Sequence, residues 1–157
     1  MTLRIETADP ESAAARPLLV ALSDTLAALT GCSGRSSLDP ADVRGPRARF
    51  GLAFDASGEA VGCGAYRPLQ AGIAELKRMF ARSRGRGIGR NLLAELERSA
   101  AADGYRELWL ETRRVNLTAV AFYRAHGYHE IANFGRYIGR PEAVCFGKTL
   151  IAAEAAA

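Results

Sequence analysis

The sequence predicts one α/β domain with a mixed sheet, on three observations. Short alternating apolar stretches interleave with segments of helical spacing. A hairpin signal stands near the middle of the chain, and a glycine–arginine turn joins a charged strand to an amphipathic helix. At 157 residues the chain is long enough to bury a sizeable core, so residues 1–157 read as a single domain.

Residues 3–6 alternate and read as a first strand. Asp9-Pro10 resembles a helix start, with a capping residue before a proline at the first helical position. Leu18, Leu19, Leu22, Leu26 and Leu29 carry helical spacing up to a stop at Gly31, and Pro17 marks either a start or a bend. Residues 31–45 turn to Gly, Ser, Asp and Pro, which reads as a loop with a short helix over 39–43, a common setting for specificity elements. Residues 48–55 and 60–69 flank Ala56-Ser57-Gly58-Glu59 as a hairpin, and 73–81 form a further strand with charges in its middle. Over 89–103 a helix places Leu92, Leu93 and Leu96 on one face and closes at Gly104. A buried strand over 108–112 precedes a helix over 119–126, capped by Asn116 or Thr118 and stopped by Gly127. Residues 128–131 and 144–150 read as a last strand pair, and 152–157 as a frayed tail.

Composition narrows the class. Hydrophobic content of 48% and charged content of 24% fit a soluble globular protein. The net charge of +4 is small but unevenly spread. Lys77, Arg78, Arg82, Arg84, Arg86 and Arg90 cluster against the single acid Glu75, which argues for an anionic ligand. Nucleic acid is disfavoured as that ligand, because the basic run is short and interleaved by Phe80 alone. Cys32, Cys63 and Cys145 lack CxxC spacing and are odd in number, which argues against a disulfide framework or zinc site and for a reducing cytoplasm. Arg4, Glu6 and Asp9 break any signal-peptide run, and no stretch reaches the ~20 apolar residues of a membrane helix.

The segment Arg82–Asn91 carries the most chemistry. Glycine lets a backbone approach a ligand closely, and the helix that follows offers unpaired N–H groups and the positive end of its dipole. With four arginines in the segment, this is a seat for phosphate oxygens. A dinucleotide fingerprint fits Gly85 and Gly87 but meets Arg90 where its third glycine belongs, although Glu111 follows at a suitable distance. The preceding Glu-Leu-Lys-Arg-Met-Phe stretch is also unlike an apolar parallel strand. A P-loop is excluded because no Gly-Lys-Ser/Thr ends the loop.

Arg84-x-x-Gly87-x-Gly89, within residues 75–93, resembles the acetyl-CoA-binding core of the GNAT (GCN5-related) N-acetyltransferases, with its Gln/Arg-x-x-Gly-x-Gly/Ala signature. Downstream, Asn116-Leu-Thr-Ala-Val-Ala-Phe-Tyr-Arg-Ala-His-Gly-Tyr128 resembles the same family's Asn-x-x-Ala-x-x-Phe-Tyr-x-x-x-Gly-Phe/Tyr segment. The resemblance spans about residues 61–150, and the N-terminal third agrees only in element order. It implies a mixed, mostly antiparallel central sheet with helices on both faces. It also implies acetyl transfer from acetyl-CoA by direct attack of a primary amine, on a small molecule or a peptide. A GNAT-like module that holds acyl-CoA without turnover is the alternative, and homodimers are frequent in the family.

The resemblance assigns roles residue by residue. The pyrophosphate would lie on Arg84, Arg86, Gly87, Ile88, Gly89 and Arg90, and the pantetheine arm on the backbone of Met79, Phe80 and Ala81, with a contact from Asn116. Tyr123 matches the tyrosine that donates to the departing sulfur, although a core aromatic beside Phe122 also fits. Glu75 is the candidate general base and Glu111 its rival, while an ion pair with Lys77, Arg78 or Arg113 explains either equally well. Asn116 reads equally as a plain helix cap. Cys63, Cys145, His126 and His129 read as structural, with no metal site. The acceptor pocket would draw on the N-terminal helix and residues 31–45 and 134–139; Arg35, Arg47, Arg49 and Arg113 hint at an acceptor carboxylate, as would ordinary surface charge.

Overall fold

The structure, a computed structural model, describes residues 2–35 and 38–151. Seven strands form one sheet in the order β1-β2-β3-β4-β5-β7-β6. They are β1 (Arg4–Thr7), β2 (Arg49–Phe54), β3 (Ala60–Gln70), β4 (Ile73–Ala81), β5 (Glu107–Arg113), β6 (His129–Ile131) and β7 (Ala143–Thr149). Every neighbouring pair is antiparallel except β4 with β5. Three α-helices, α1 (Ala15–Thr30), α2 (Ile88–Ala102) and α3 (Leu117–Ala125), cover the sheet. The mixed, mostly antiparallel sheet of the expectation is therefore present. The expected tail over 152–157 lies outside the described residues.

The N-terminal helix begins later than Asp9-Pro10 suggests. Asp9 Oδ1 accepts from the Glu11 N–H at 2.8 Å and the carboxylate takes a two-point pair from Arg44, so this carboxylate closes a turn instead of a helix. The helix starts at Ala15, and Pro17 falls in its first turn, where a missing N–H breaks no bond and causes no bend. Gly31 ends it in the left-handed region, φ 79°, with its N–H on Ala27 O. A short 3-10 helix, Pro40–Val43, follows with Asp39 as its side-chain cap. The 55–59 turn forms as expected: Asp55 Oδ1 accepts from the Ser57 and Glu59 N–H groups.

Alternation along the strands sorts side chains to two faces. On one face α2 buries Ile88, Leu92, Leu93 and Leu96 against Ala53, Tyr66, Leu76 and Phe146, and Tyr123 of α3 joins the same cluster. Each such aliphatic side chain contributes roughly 1.5–3 kcal/mol on burial. The other face holds Ala15 and Leu18 of α1 against Phe50, Leu52, Cys63 and Ala65. Beside it lies a third cluster of Phe134, Tyr137, Ala143 and Cys145, packed by Trp109. Its rings meet at 5.3 Å (Trp109–Phe134) and 5.5 Å (Phe134–Tyr137), which fixes a second short 3-10 helix, Gly135–Tyr137, over β5 and β7.

Two departures from ideal pairing create the site. The parallel ladder of β4 and β5 covers Ile73, Ala74 and Glu75 only, ending at Glu75 opposite Trp109. Beyond it the two strands part. Along β3, Cys63 faces Phe80 but Ala65 faces Lys77, so β4 carries one extra residue there. Arg78 takes up the bulge with φ 57°, an unusual value for a side chain of this size. Its guanidinium is tied to Ser23 Oγ at 2.6 Å and to the carbonyls of Leu19 and Ser33 at 3.3 Å. The bulge thereby links β4 to α1 and to the loop after it.

Candidate active site

Where β4 and β5 part, a cleft of about 190 Å³ opens through the sheet. Glu75, Lys77 and Tyr137 line it on the α1 side, and Asn116, Ala119 and Tyr123 line it from α3. The volume suits the reacting ends of small molecules, below the ~300 Å³ or more that encloses a whole ligand. A large ligand must therefore lie mostly along the surface.

On the α3 side the geometry suits an extended chain ending in phosphates. The edge of β4 that faces the cleft has no strand partner past Glu75 among the described residues, so Met79, Phe80 and Ala81 offer backbone groups there. Just beyond, Gly85 and Gly87 both have φ 74°, and Gly87 is the N-cap of α2 with no side-chain cap. The N–H groups of Ile88, Gly89 and Arg90 sit in the first turn, where a helix supplies no partner. A Cβ at Gly89 would lie 3.3 Å from the Phe122 ring, a tight contact that brings this backbone close to α3. Arg84 and Arg86 are exposed; Arg84 Nη2 donates to Thr118 Oγ1 at 3.2 Å, bringing the glycine–arginine loop to the start of α3, and Arg86 acts on the Asp55 carboxylate. Ile88 is buried and anchors the loop.

Asn116 caps α3, its Oδ1 accepting from the Ala119 N–H at 3.2 Å, while the residue also lines the cleft. Thr118 is not the cap. Tyr123 is 8% exposed, with the Phe122 and Tyr128 rings edge-on at 5.2 and 5.5 Å. Burial pushes its phenol well above the usual tyrosine range, so it keeps its proton at any physiological pH. Tyr128, the last residue of the second motif, is structural: its hydroxyl donates to Glu97 Oε2 at 2.8 Å.

On the α1 side a polar network surrounds Glu75, which is 2% exposed. Arg67 donates two bonds to Oε1, at 2.7 and 3.0 Å, and the Tyr137 hydroxyl donates to Oε2 at 3.3 Å. Lys77 Nζ stands 3.6 Å from Oε2. Burial depresses the Lys77 ammonium despite Glu75 beside it, and raises the Tyr137 phenol. Glu111 also lines the cleft; burial raises its carboxyl against the pull of Arg113, its ion-pair partner.

The ion pair that explains Glu75 is thus made chiefly by Arg67, which sequence reading did not single out. Arg67 stands opposite Glu75 only because the β3–β4 register shifts between Pro68 and Gln70; counting outward from the Ala71-Gly72 turn would place Pro68 there instead. Tyr137 carried no sequence signal beyond its place in residues 134–139. Arg47 and Arg49 do not serve an acceptor. Arg47 bonds Asp103 O and stacks on Tyr105, while Arg49 pairs with Glu95 on α2, away from the cleft. Cys63 is buried, which pushes its thiol up to about 12, and Cys145 is buried and raised too. His126 Nδ1 lies 2.7 Å from Phe122 O at the helix end. Among the described residues there is no cluster fit for a metal ion, and no helix is long and apolar enough to cross a membrane.

A seven-stranded sheet split at its parallel β4–β5 pair, with a glycine helix start beside the split, is the arrangement expected of an acyl-CoA-dependent acyltransferase. A profile of the acetyltransferase (GNAT) family matches residues 21–128, and the chain belongs to that family. It is an N-acetyltransferase that uses acetyl-CoA as its acyl donor. It is 39% identical over 116 residues to an IAA acetyltransferase of Azospirillum brasilense, covering 72% of this chain and 75% of the relative. Among solved structures, a candidate acyl-CoA N-acyltransferase of Klebsiella pneumoniae is 30% identical with a TM-score of 0.81, covering 96% of this chain and 99% of that one. The PaiA N-acetyltransferase of Thermoplasma acidophilum, in complex with coenzyme A, shares the fold at 18% identity and a TM-score of 0.69, covering 95% and 99% of the two chains.

Proposed function

We propose that residues 1–157 form one catalytic domain that transfers an acetyl group from acetyl-CoA to a primary amine of a small molecule or peptide, by direct attack of the amine. The observation that carries this reading is the cleft through the split sheet, with an unpaired β4 edge and a glycine helix start on the α3 side and a polar pocket on the α1 side. Direct transfer is supported at the two buried cysteines, Cys63 and Cys145: both thiols are raised, and neither has an activating base.

Bound acetyl-CoA supplies an activated acyl group, a thioester carbonyl. The open β4 edge at Met79, Phe80 and Ala81 pairs with the extended pantetheine arm, and the N–H groups at Gly87, Ile88, Gly89 and Arg90 hold the pyrophosphate with charge from Arg84 and Arg86. Asn116 reaches the arm with its amide while capping α3. Tyr123, kept protonated by burial, gives its hydrogen to the sulfur as it leaves. Both Glu75 oxygens are already engaged, so this carboxylate takes the amine's proton through a water molecule. Glu111, with its raised carboxyl, is the rival.

The test is release of free CoA over a panel of amino acids, polyamines, aminoglycosides and peptides, with Glu75→Gln and Glu111→Gln compared on the best acceptor. Turnover with a primary amine supports the reading, and the slower variant identifies the base. Retained acetyl-CoA binding without turnover over the whole panel would make the protein a binding module.

A further inference from the structure

Leu22, Leu26 and Thr30 of α1, with Cys32 and Gly34 of the loop after it, wall the cleft on one side, and Lys77 and Arg78 of β4 stand across from them. Helix and loop lie over the sheet face, so their distance from β4 sets the width of this side. Arg78 spans that distance. Its guanidinium donates to Ser23 Oγ at 2.6 Å and to the carbonyls of Leu19 and Ser33 at 3.3 Å. Leu19 and Ser23 stand one helical turn apart on the same face of α1, and Ser33 belongs to the loop. A single planar, charged fork thus ties helix, loop and strand together.

Each end of the tie is built for it. Ser23 is 1% exposed, and a hydroxyl buried in mid-helix needs a partner, which the guanidinium supplies. In the loop, a Cβ at Gly34 would lie 3.0 Å from Arg78 Nη1 and 3.2 Å from Leu26 Cδ1, so the loop backbone rests directly on the tie. On the strand, Cys63 Sγ donates to Arg78 O at 3.4 Å and holds the bulge from β3. Arg78 keeps φ 57°, a conformation that its own side chain disfavours. Strain of this kind persists only where the surroundings over-determine it, and it gathers at functional sites. The next residue, Met79, opens the unpaired β4 edge.

We propose that Arg78 is a positioning residue for the amine acceptor: it fixes the wall made by α1 and residues 32–34 at a set distance from the strand that carries the acyl donor. This rests on the N-acetyltransferase reading above, with the donor along β4 and the amine on the α1 side. Arg78 acts through the wall and takes no part in the bonds that change. The neutral amine nitrogen bonds to the acetyl carbon and loses one proton, the carbon–sulfur bond breaks, and the sulfur leaves with a proton as CoA thiol. Transfer of this kind is sensitive to placement, since a shift of about 1 Å caused far from the chemistry costs about 10²-fold in rate.

The test uses the full chain, acetyl-CoA and the best amine of the panel above. Arg78→Gly keeps the left-handed backbone of the bulge and removes the tie. It is expected to lower kcat/KM for the amine by about tenfold or more, with the acetyl-CoA dissociation constant from calorimetry within about twofold of wild type. Ser23→Ala, at a buried position that does not line the cleft, should act in the same direction by roughly threefold, and adding it to Arg78→Gly should cost nothing further. Amide hydrogen exchange over residues 31–35 should quicken in both variants. Should Arg78→Gly fail to fold, Ser23→Ala decides by the same readouts. An unchanged kcat/KM for the amine would reduce the tie to packing. A parallel loss of acetyl-CoA affinity would assign Arg78 to the donor edge, and losses that multiply in the double variant would separate the two residues. Each of these overturns the proposal while leaving N-acetyl transfer intact. No turnover with any amine, despite calorimetric binding of acetyl-CoA, would overturn it together with the reading beneath it.

Discussion

Tyr123, the proposed acid, combines packing and proton retention through the same burial. The rings of Phe122 and Tyr128 hold it edge-on, and desolvation holds its proton in place while the residue still lines the cleft. Tyr123→Phe keeps the ring contacts and removes only the hydroxyl. Turnover should therefore fall by about 10²-fold, the lower range for loss of a general acid, while the acetyl-CoA dissociation constant measured by calorimetry stays put. A loss of binding matching the loss of rate would show the hydroxyl to be a ligand contact and not an acid. Residue-level placement in the cleft was only half legible in the sequence. Asn116 and Tyr123 came from motif spacing, which records chain neighbours on one helix. Arg67 and Tyr137, partners of Glu75, come from other elements, and their approach depends on hairpin register and on the aromatic cluster over β5.

Among the elements, strands and helices were legible wherever period and punctuation agreed, as in α2 between Gly87 and Gly104. The β4 bulge was not. Nothing in Lys77-Arg78-Met79 signals a left-handed residue, because Arg78 is held there by α1 and the loop after it, not by its own preference. The late start of α1 had the same origin, since Arg44 from a distant loop captures the Asp9 cap. Element packing is also tight where α2 begins. A Cβ at Gly62 would lie 2.7 Å from Ile88 Cγ2 and 3.1 Å from Phe80 O, so Gly62→Ala must push the start of α2 away from β3. It should destabilise the fold by about 1–3 kcal/mol, a fall of roughly 3–10 °C in Tm for a chain of this size. A Tm unchanged within error would mean that α2 shifts without resistance. At its middle, α2 is tied to β2 by Glu95, which takes Arg98 and Arg49 and is thereby held down at about 2. Its folded value lies below the ordinary carboxylate value of ~4.3. This stabilisation is thus complete above that value and lost as pH falls toward about 2. The Tm gap between wild type and Glu95→Gln should be open at neutral pH and closed near pH 2; a gap independent of pH would assign it to packing.

At the scale of the whole molecule, the sheet is one continuous layer in topology but two halves in hydrogen bonding. Three residue pairs of β4 and β5 join β1–β4 to β5–β7, and past Glu75 the ladder stops. The helices bridge part of this break, since α2 packs on both β4 and β5. The remainder is the cleft, where the outer half of β4 shows unpaired backbone groups on one edge. An extended acyl-CoA arm docked there, as proposed, would act as a missing strand, so donor binding should stiffen the molecule as well as load the enzyme. At acetyl-CoA near 100 times its dissociation constant, linkage adds about 2.7 kcal/mol to folding stability, a rise of roughly 5–10 °C in Tm. The location of the effect is the sharper test. Amide hydrogen exchange should slow at residues 79–81 and at the helix start 87–90, with little change in β1 and β2, which lie away from the cleft. CoA lacking the acetyl group should protect the same amides, since it carries the same arm and phosphates. Protection spread evenly over the sheet, or confined to the phosphate loop, would refute strand-like docking along β4.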